Sequence, residues 1–104
     1  MILVLGSLLA KEAHFTEALA LSQEHVARSR LEPGCISHAV HRDVENPLRL
    51  VFIEQWRDHE ALLAHFKVPA SRAFARAVSE LSSAPPSISV FQASHFQLPG
   101  SSAA

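Results

Sequence analysis

The residues best suited to chemistry lie near the middle of the chain, where Glu54, Trp56 and His65 stand close together in the sequence. A carboxylate and an imidazole can move protons to or from a bound molecule, and an indole ring can hold a flat ligand. Each also has an ordinary structural role, as a solvated edge carboxylate, a core tryptophan or a histidine at a helix boundary. Together they form a candidate acid–base site.

Metal and cofactor sites are not predicted, although the chain has seven histidines. His38 and His41 fall on opposite faces of a predicted strand, and His59 and His65 diverge around a predicted helix. Only three glycines are present, too few for a dinucleotide fingerprint or a phosphate loop. The single cysteine, Cys35, excludes a disulfide within the chain and a cysteine-cluster metal site. We therefore expect no cofactor, and histidines scattered over surfaces and pocket edges.

The composition predicts one globular domain in 104 residues. Nine basic and ten acidic residues give a formal charge of -1, which does not favour binding to nucleic acid or to an anionic membrane. The apolar run over residues 1–10 is too short to span a bilayer, and no basic residue precedes it as in a signal peptide. We therefore predict a cytoplasmic protein.

Hydrophobic periodicity indicates the elements that must position the candidate site. Runs of alternating or continuous apolar residues predict strands, and a spacing of three to four predicts helices. Phe15, Leu19, Ser22 and Val26 define the expected inner face of the first helix, and the Glu-Pro-Gly turn at residues 32–34 ends it. The predicted elements are a strand over residues 2–9, a helix over about residues 12–30, strands over residues 35–42 and 49–56, a helix over about residues 59–67, a helix starting at Pro69, and a strand over about residues 87–95.

This order, β-α-β-β-α-β, predicts an α+β fold of the ferredoxin-like class, with a four-stranded antiparallel sheet and helices on one face. The domain should cover residues 1–96, and residues 97–104 should form a flexible tail. Strand alternation places Phe52, Glu54 and Trp56 on one face, and Ile36 with His38 on one face of the preceding strand. Because the first strand is apolar on both faces, we expect the helix-free face to pack against a second copy in a homodimer.

Three segments resemble the antibiotic biosynthesis monooxygenase family. Residues 30–40, Arg-Leu-Glu-Pro-Gly-Cys-Ile-Ser-His-Ala-Val, are similar to its E-P-G-C-x-x-Y segment. Residues 52–58 and 61–66 are similar to its F-x-E-x-W-x-D and A-L…A-H-F segments, so the resemblance covers roughly residues 1–94. It implies a ferredoxin-like fold and a dimeric α+β barrel. Members include cofactor-independent oxygenases of quinols and polycyclic phenols, haem-degrading enzymes and an isomerase of autoinducer-2 processing.

The chain departs from the family pattern at several positions. Haem-degrading members carry an asparagine on the first strand and a ligating histidine on a later helix, where this chain has Ser7 and Ala75. The resemblance therefore does not imply haem. Many members have a tyrosine on the second strand and continue A-H-F with x-T-P-H, whereas this chain has His38 and the sequence Lys-Val-Pro-Ala at residues 67–70.

From the resemblance we predict a cofactor-independent monooxygenase that acts on a quinol, phenolic or polyketide-like small molecule, with molecular oxygen as co-substrate. A base that forms the electron-rich phenolate makes electron transfer to oxygen feasible. His65 is the expected base, and Glu54 either orients it or is itself the base. The expected ligand-binding residues are an aromatic wall of Trp56, Phe52 and Phe74 and two hydrogen-bonding residues, His38 and Ser7.

Two other functions remain open at this stage. An isomerase of the autoinducer-2 processing type would use the same acid–base pair on a small phosphorylated or hydroxylated carbonyl compound. It should need an arginine or lysine at the pocket, and the sequence places none there. A non-catalytic ligand-binding or stress-response dimer is the second alternative, favoured by the missing histidine of the x-T-P-H segment.

Overall fold

The computed structural model describes residues 1–100. Four strands and three helices follow in the predicted order, and a short 3-10 turn, Glu12–His14, precedes the first helix. The fold confirms the ferredoxin-like α+β class. The elements are β1 (Ile2–Leu9), α1 (Phe15–Ser29), β2 (Cys35–Arg42), β3 (Arg49–Trp56), α2 (His59–Lys67), α3 (Pro69–Glu80) and β4 (Ser87–Gln92).

The sheet has the order β2-β3-β1-β4, and every neighbouring pair is antiparallel. In the central strands β1 and β3, every second side chain faces the helices, as the predicted alternation requires. Leu50, Phe52, Glu54 and Trp56 form that inner row of β3, all of them buried. The helix-covered face of β3 therefore contains the candidate site. None of the helices within residues 1–100 has the length and apolar character that a membrane crossing requires.

The last strand is shorter than predicted, since β4 ends at Gln92 rather than near residue 95. Gln92 pairs with Ile2, the first residue of the neighbouring strand β1. Residues after Gln92 therefore have no residue of β1 opposite them. One backbone bond continues past this point, from the Ala93 N–H to the Met1 carbonyl (2.9 Å). Of the flexible tail predicted for residues 97–104, the last four residues lie outside the described part of the chain.

The predicted faces of β2 are wrong at its start, because a β-bulge interrupts the ladder between Cys35 and Ser37. Cys35 pairs with Trp56 and packs beside it on the helix-covered side, while Ile36 is 55% exposed. After the bulge the alternation holds, and His38 pairs with Glu54 on the helix-covered face. The extra residue therefore brings both Cys35 and His38 to the side of the candidate site.

The turn between α1 and β2 requires glycine. Gly34 has a φ of 82°, and a Cβ added there would lie 2.5 Å from the Cβ of Ala61 in α2. Residues that have a side chain rarely adopt that backbone conformation, and the added Cβ would collide with α2. The carbonyl of Gly34 also accepts a hydrogen bond from the backbone N–H of Arg57 (2.7 Å). This close approach places the turn that carries Glu32 directly beside α2.

The helix-free face of the sheet remains apolar and partly exposed in the single chain. Leu5 is 41% exposed and Ile53, its partner across β1 and β3, is 39% exposed. Phe91 of β4 extends the same face and is 48% exposed. This group of side chains is the surface that the sequence predicts to meet a second copy.

Candidate active site

Glu54 is a buried carboxylate, only 7% exposed, held by two neighbours on the sheet. The indole Nε1–H of Trp56 donates a hydrogen bond to its Oε1 (2.9 Å). Nε2 of His38 lies 3.3 Å from the same oxygen, without the alignment of a hydrogen bond. Burial opposes ionisation, but the contact with His38 and the bond from Trp56 outweigh it and lower the pKa of Glu54 below its usual value. Glu54 is therefore ionised at neutral pH.

His65, on α2, is paired with a different carboxylate. Its Nδ1 lies 2.9 Å from Oε1 of Glu32, with 4% of the His65 side chain and 17% of the Glu32 side chain exposed. A carboxylate accepts and does not donate, so Nδ1 carries the proton and Nε2 is left as the basic nitrogen of the neutral ring. Trp56 packs against the His65 ring, with 4.6 Å between ring centroids. Glu54 is predicted either to orient His65 or to be the base itself, but the carboxylate that accepts the hydrogen bond from His65 is that of Glu32.

A third buried histidine, His25, joins the site from α1. Its ring centroid lies 5.3 Å from that of His38 and 5.3 Å from that of His65. The prediction of scattered histidines is therefore wrong: it compared histidines close in sequence, whereas α1, β2 and α2 each contribute one from separate parts of the chain. One ring nitrogen from each lies within 4.8 Å of the corresponding atoms of the other two.

His25 also faces an aromatic side chain of α3. The His25 ring stacks on Phe74 with 4.0 Å between centroids and 5° between planes. Burial, followed by the positive charges that His38 and His65 would carry, lowers the pKa of His25 to about 3. His25 is therefore neutral at physiological pH.

A cavity of about 330 Å³ lies between the sheet and the helices, and Glu54 and His65 both line it. Phe52 and Phe74 border it too, as predicted, and Ser7 is among the lining residues. The hydroxyl of Ser7 is not placed as predicted, because Ser7 pairs with Val51 in the helix-free row of the sheet and its Oγ accepts a hydrogen bond from Nη1 of Arg49 in that row (3.0 Å). The cavity is also lined by His25, Phe66, Arg72 and Ala75.

Trp56 and His38 differ from their predicted places, because neither is among the lining residues. Both are almost completely buried, with exposures of 0% and 1%. They lie behind the cavity and contact Glu54 rather than an incoming ligand. Their role is thus to hold the carboxylate that does reach the cavity.

Two residues of the site, Glu32 and His25, were missed by the sequence analysis. Glu32 belongs to the E-P-G-C segment, whose proline and glycine predict only a helix-ending turn. His25 follows Ser22 by three positions and precedes Ser29 by four, the spacing of the buried helix face. A predicted inner face of α1 that began one residue earlier would have included His25.

Comparison with known proteins gives a consistent result. The sequence model of the antibiotic biosynthesis monooxygenase family matches residues 1–77. The Synechocystis protein sll1783 is 33% identical over 96 residues, which cover 92% of this chain. The matched region spans only 65% of that relative's own length.

Solved structures share the fold. A crystal structure of an antibiotic biosynthesis monooxygenase superimposes with a TM-score of 0.85 at 24% identity, covering 91% of this chain and all of the other. Rv0793 from Mycobacterium tuberculosis also gives a TM-score of 0.85, at 22% identity, over 91% of this chain and 96% of its own. At such identities these structures support the fold.

Proposed function

The chain belongs to the antibiotic biosynthesis monooxygenase family, and we propose that it oxidises a small quinol or phenol with molecular oxygen and without a cofactor. The observation that carries the proposal is the Glu32–His65 pair, 2.9 Å apart and partly buried, next to a cavity that His65 lines. A buried imidazole whose Nδ1–H is held by a carboxylate has its other nitrogen available as a base.

In the proposed reaction, Nε2 of His65 removes the proton of a phenolic hydroxyl. Glu32 keeps the imidazole in the tautomer in which Nε2 is unprotonated and stabilises the imidazolium that forms. Glu54, ionised and buried at the same cavity, adds a second negative charge near that imidazolium. Both carboxylates thus favour proton transfer to His65.

The resulting phenolate is electron-rich enough to reduce oxygen directly. For a quinol, one oxygen atom enters the ring and the other leaves as water, so that quinol plus oxygen gives a hydroxyquinone plus water. The substrate supplies all four electrons, and no external reductant is needed. The protein then has to supply a base, an apolar space and exclusion of water.

The cavity supports a small aromatic substrate. Its volume of about 330 Å³ is near the lower end of the range for ligand pockets. Phe52, Phe66 and Phe74 provide apolar surface on its wall. These features favour a quinol of one or two rings over a larger polycyclic compound.

A homodimer is part of the proposal. The apolar helix-free face around Leu5, Ile53 and Phe91 is the surface on which a second copy would pack. An obligate interface of that kind buries more than about 2,000 Å² in total. The cytoplasmic location, like the absence of nucleic-acid and membrane partners, remains a sequence-based prediction.

One observation favours the isomerase alternative. Arg72 of α3 lines the cavity, although the sequence analysis placed no cationic side chain there. A guanidinium can bind a phosphate group through two parallel hydrogen bonds. A phosphorylated hydroxycarbonyl compound could therefore bind with its phosphate at Arg72 and its reacting carbon near His65.

Oxygen uptake separates these functions. Chelator-treated protein is mixed with a panel of one- and two-ring quinols in an oxygen electrode, and with phosphorylated ketoses under anaerobic conditions. The proposal expects oxygen uptake with at least one quinol. Replacing His65→Ala should lower it by roughly 10²-fold or more, whereas His59→Ala, an exposed histidine on the same helix, should leave it unchanged. Anaerobic isomerisation without oxygen uptake would favour the alternative.

A further inference from the structure

The three buried histidines contain ring nitrogens that nothing in the described part of the chain satisfies. Nδ1 of His25 and Nδ1 of His38 have no hydrogen-bond partner there, and both are shielded from solvent. Nε2 of His38 faces only the carboxylate of Glu54, 3.3 Å away and without the alignment of a hydrogen bond. A buried polar atom without a partner destabilises the folded chain, because it has lost its hydrogen bonds to water. Several such atoms gathered at one point indicate a group that binds them.

We propose that His25, His38 and His65 bind one divalent transition-metal ion of the Zn²⁺ or Co²⁺ type. Imidazole nitrogen is a preferred ligand of these ions, whereas Mg²⁺ and Ca²⁺ prefer oxygen. The three residues come from α1, β2 and α2, so the site forms only when the chain is folded.

The spacing of the nitrogens fits a site that needs only a small adjustment. Three atoms no more than 4.8 Å apart share a central point that lies within about 2.8 Å of each. A Zn–N bond is about 2.0–2.1 Å long, so each nitrogen has to move inwards by less than about 1 Å. Rotation of the side chains provides movements of that size.

The surroundings of the three histidines also suit a metal. The carboxylate of Glu32 holds Nδ1 of His65, the arrangement that orients a histidine ligand. The carboxylate of Glu54 lies 3.3 Å from Nε2 of His38. These two negative charges balance the charge of a divalent ion in a buried place.

The metal would be reachable from the cavity. His25 and His65 both line it, so an ion bound between them can keep an open position towards that space. Metal binding does not depend on the proposed reaction and can be measured without any substrate. It would, however, occupy His65, which cannot bind a metal through Nε2 and accept a proton there at the same time.

The test begins with wild-type protein freed of metal by a chelator. It is titrated with Co²⁺ and with Zn²⁺, and binding is followed by calorimetry and by the visible spectrum of Co²⁺. We expect one ion per chain, the ligand-field bands of nitrogen-bound Co²⁺, and a rise in Tm that equal Mg²⁺ does not give. Failure of wild-type protein to bind either ion would overturn the proposal.

Variants identify the ligands. His25→Phe, His38→Phe and His65→Phe should each weaken binding by more than about 100-fold, since losing a supporting carboxylate alone costs 10–100-fold. The matched control changes two exposed histidines together, His41→Gln and His59→Gln, and should bind as the wild type does. Binding that is unchanged in the first three, or lost in the control, would overturn the assignment.

Wild-type protein also provides a readout that requires no substitution. The ring nitrogens of histidine can be followed by ¹⁵N NMR during addition of Zn²⁺. Of the seven histidines, only three should show the shift of metal-bound nitrogen. Such shifts at His41 or His59, with none at His25 or His38, would contradict the site even if a substituted protein did not fold.

Discussion

Nδ1 of His65 lies 2.9 Å from Oε1 of Glu32, although 33 positions separate the two residues in the chain. The contact exists because the turn at Gly34 packs directly against α2. In the proposed reaction Glu32 is therefore a positioning residue, which fixes the tautomer and orientation of the base. Glu54, which is much closer to His65 in the sequence, instead accepts a hydrogen bond from Trp56.

Replacing Glu32→Gln tests this pairing. Glutamine keeps the length and an acceptor oxygen but removes the charge, so we expect kcat to fall about 10-fold or more with little change in KM. Glu24→Gln, which removes an exposed carboxylate of α1, is the control and should leave both kcat and KM unchanged. A wild-type kcat in Glu32→Gln, or a loss confined to KM, would contradict the role of Glu32.

Replacing Trp56→Phe tests the support of Glu54. The buried carboxylate loses its N–H donor, which should lower the free energy of unfolding by about 1–3 kcal/mol at pH 7. The pKa of Glu54 is lowered in the folded state. The stabilisation is therefore present above the ordinary carboxyl pKa and lost as the pH falls through the folded value.

A double-mutant cycle isolates that interaction from the packing of the ring. Urea unfolding of Trp56→Phe, Glu54→Gln and the double variant gives the coupling energy between the two side chains. We expect a favourable coupling at pH 7 that decreases in acid. A coupling that is constant with pH would show that the charge of Glu54 does not contribute.

His25 should make the metal-free fold sensitive to acid. Its pKa is about 3 in the folded state against 6.5 for an unperturbed histidine, so between these values only the unfolded chain takes up the proton. Stability should therefore decrease as the pH falls from 6.5 towards 3, by at most about 1.4 kcal/mol per pH unit from this group. The groups facing His25 are His38, His65 and Glu54, with Arg28 on its own helix.

The measurement is urea unfolding in the presence of a chelator at several pH values. His25→Phe keeps a ring to stack on Phe74 and removes the titrating group, so its stability should vary less over this range. His59→Gln, an exposed histidine, should keep the wild-type slope. Equal slopes for wild type and His25→Phe would contradict the lowered pKa.

The proposed dimer is tested by placing a charge on the helix-free face. Leu5→Lys introduces an ammonium group next to Ile53 at the middle of that face, where a buried charge is costly. Wild-type protein should sediment as a dimer of 11.4 kDa chains, and Leu5→Lys as a monomer or as a much weaker dimer. Val44→Lys changes a 96% exposed apolar residue off that face and should remain dimeric. A compact wild-type monomer would refute the proposal.

Much of this fold could be predicted from local patterns. The alternation of β3 placed Phe52, Glu54 and Trp56 on one face, and the structure confirms it, because a strand without bulges keeps its period of two. The same reasoning failed at the start of β2. There a bulge at Ile36 moves Cys35 to the helix-covered face of the sheet, and no local sequence pattern predicts that bulge.

The site was harder to predict because its members come from distant segments. The predicted face of α1 holds Phe15, Leu19, Ser22 and Val26, of which Ser22 and Val26 are buried and Phe15 and Leu19 are only partly buried. The buried face also includes His25 and the small residues Ala18 and Ser29. The hydroxyls of its two serines donate hydrogen bonds to backbone carbonyls of the helix. Hydrophobicity alone does not indicate such a face.

The most direct test of the account is the fate of oxygen atoms during turnover. Chelator-treated wild-type protein is incubated with an active quinol under ¹⁸O₂, and the product is examined by mass spectrometry. The account predicts one atom of ¹⁸O in each hydroxyquinone formed, with no added cofactor, and loss of this product in His65→Ala but not in His59→Ala. A product without ¹⁸O, or turnover that appears only when a metal or flavin is added, would contradict it.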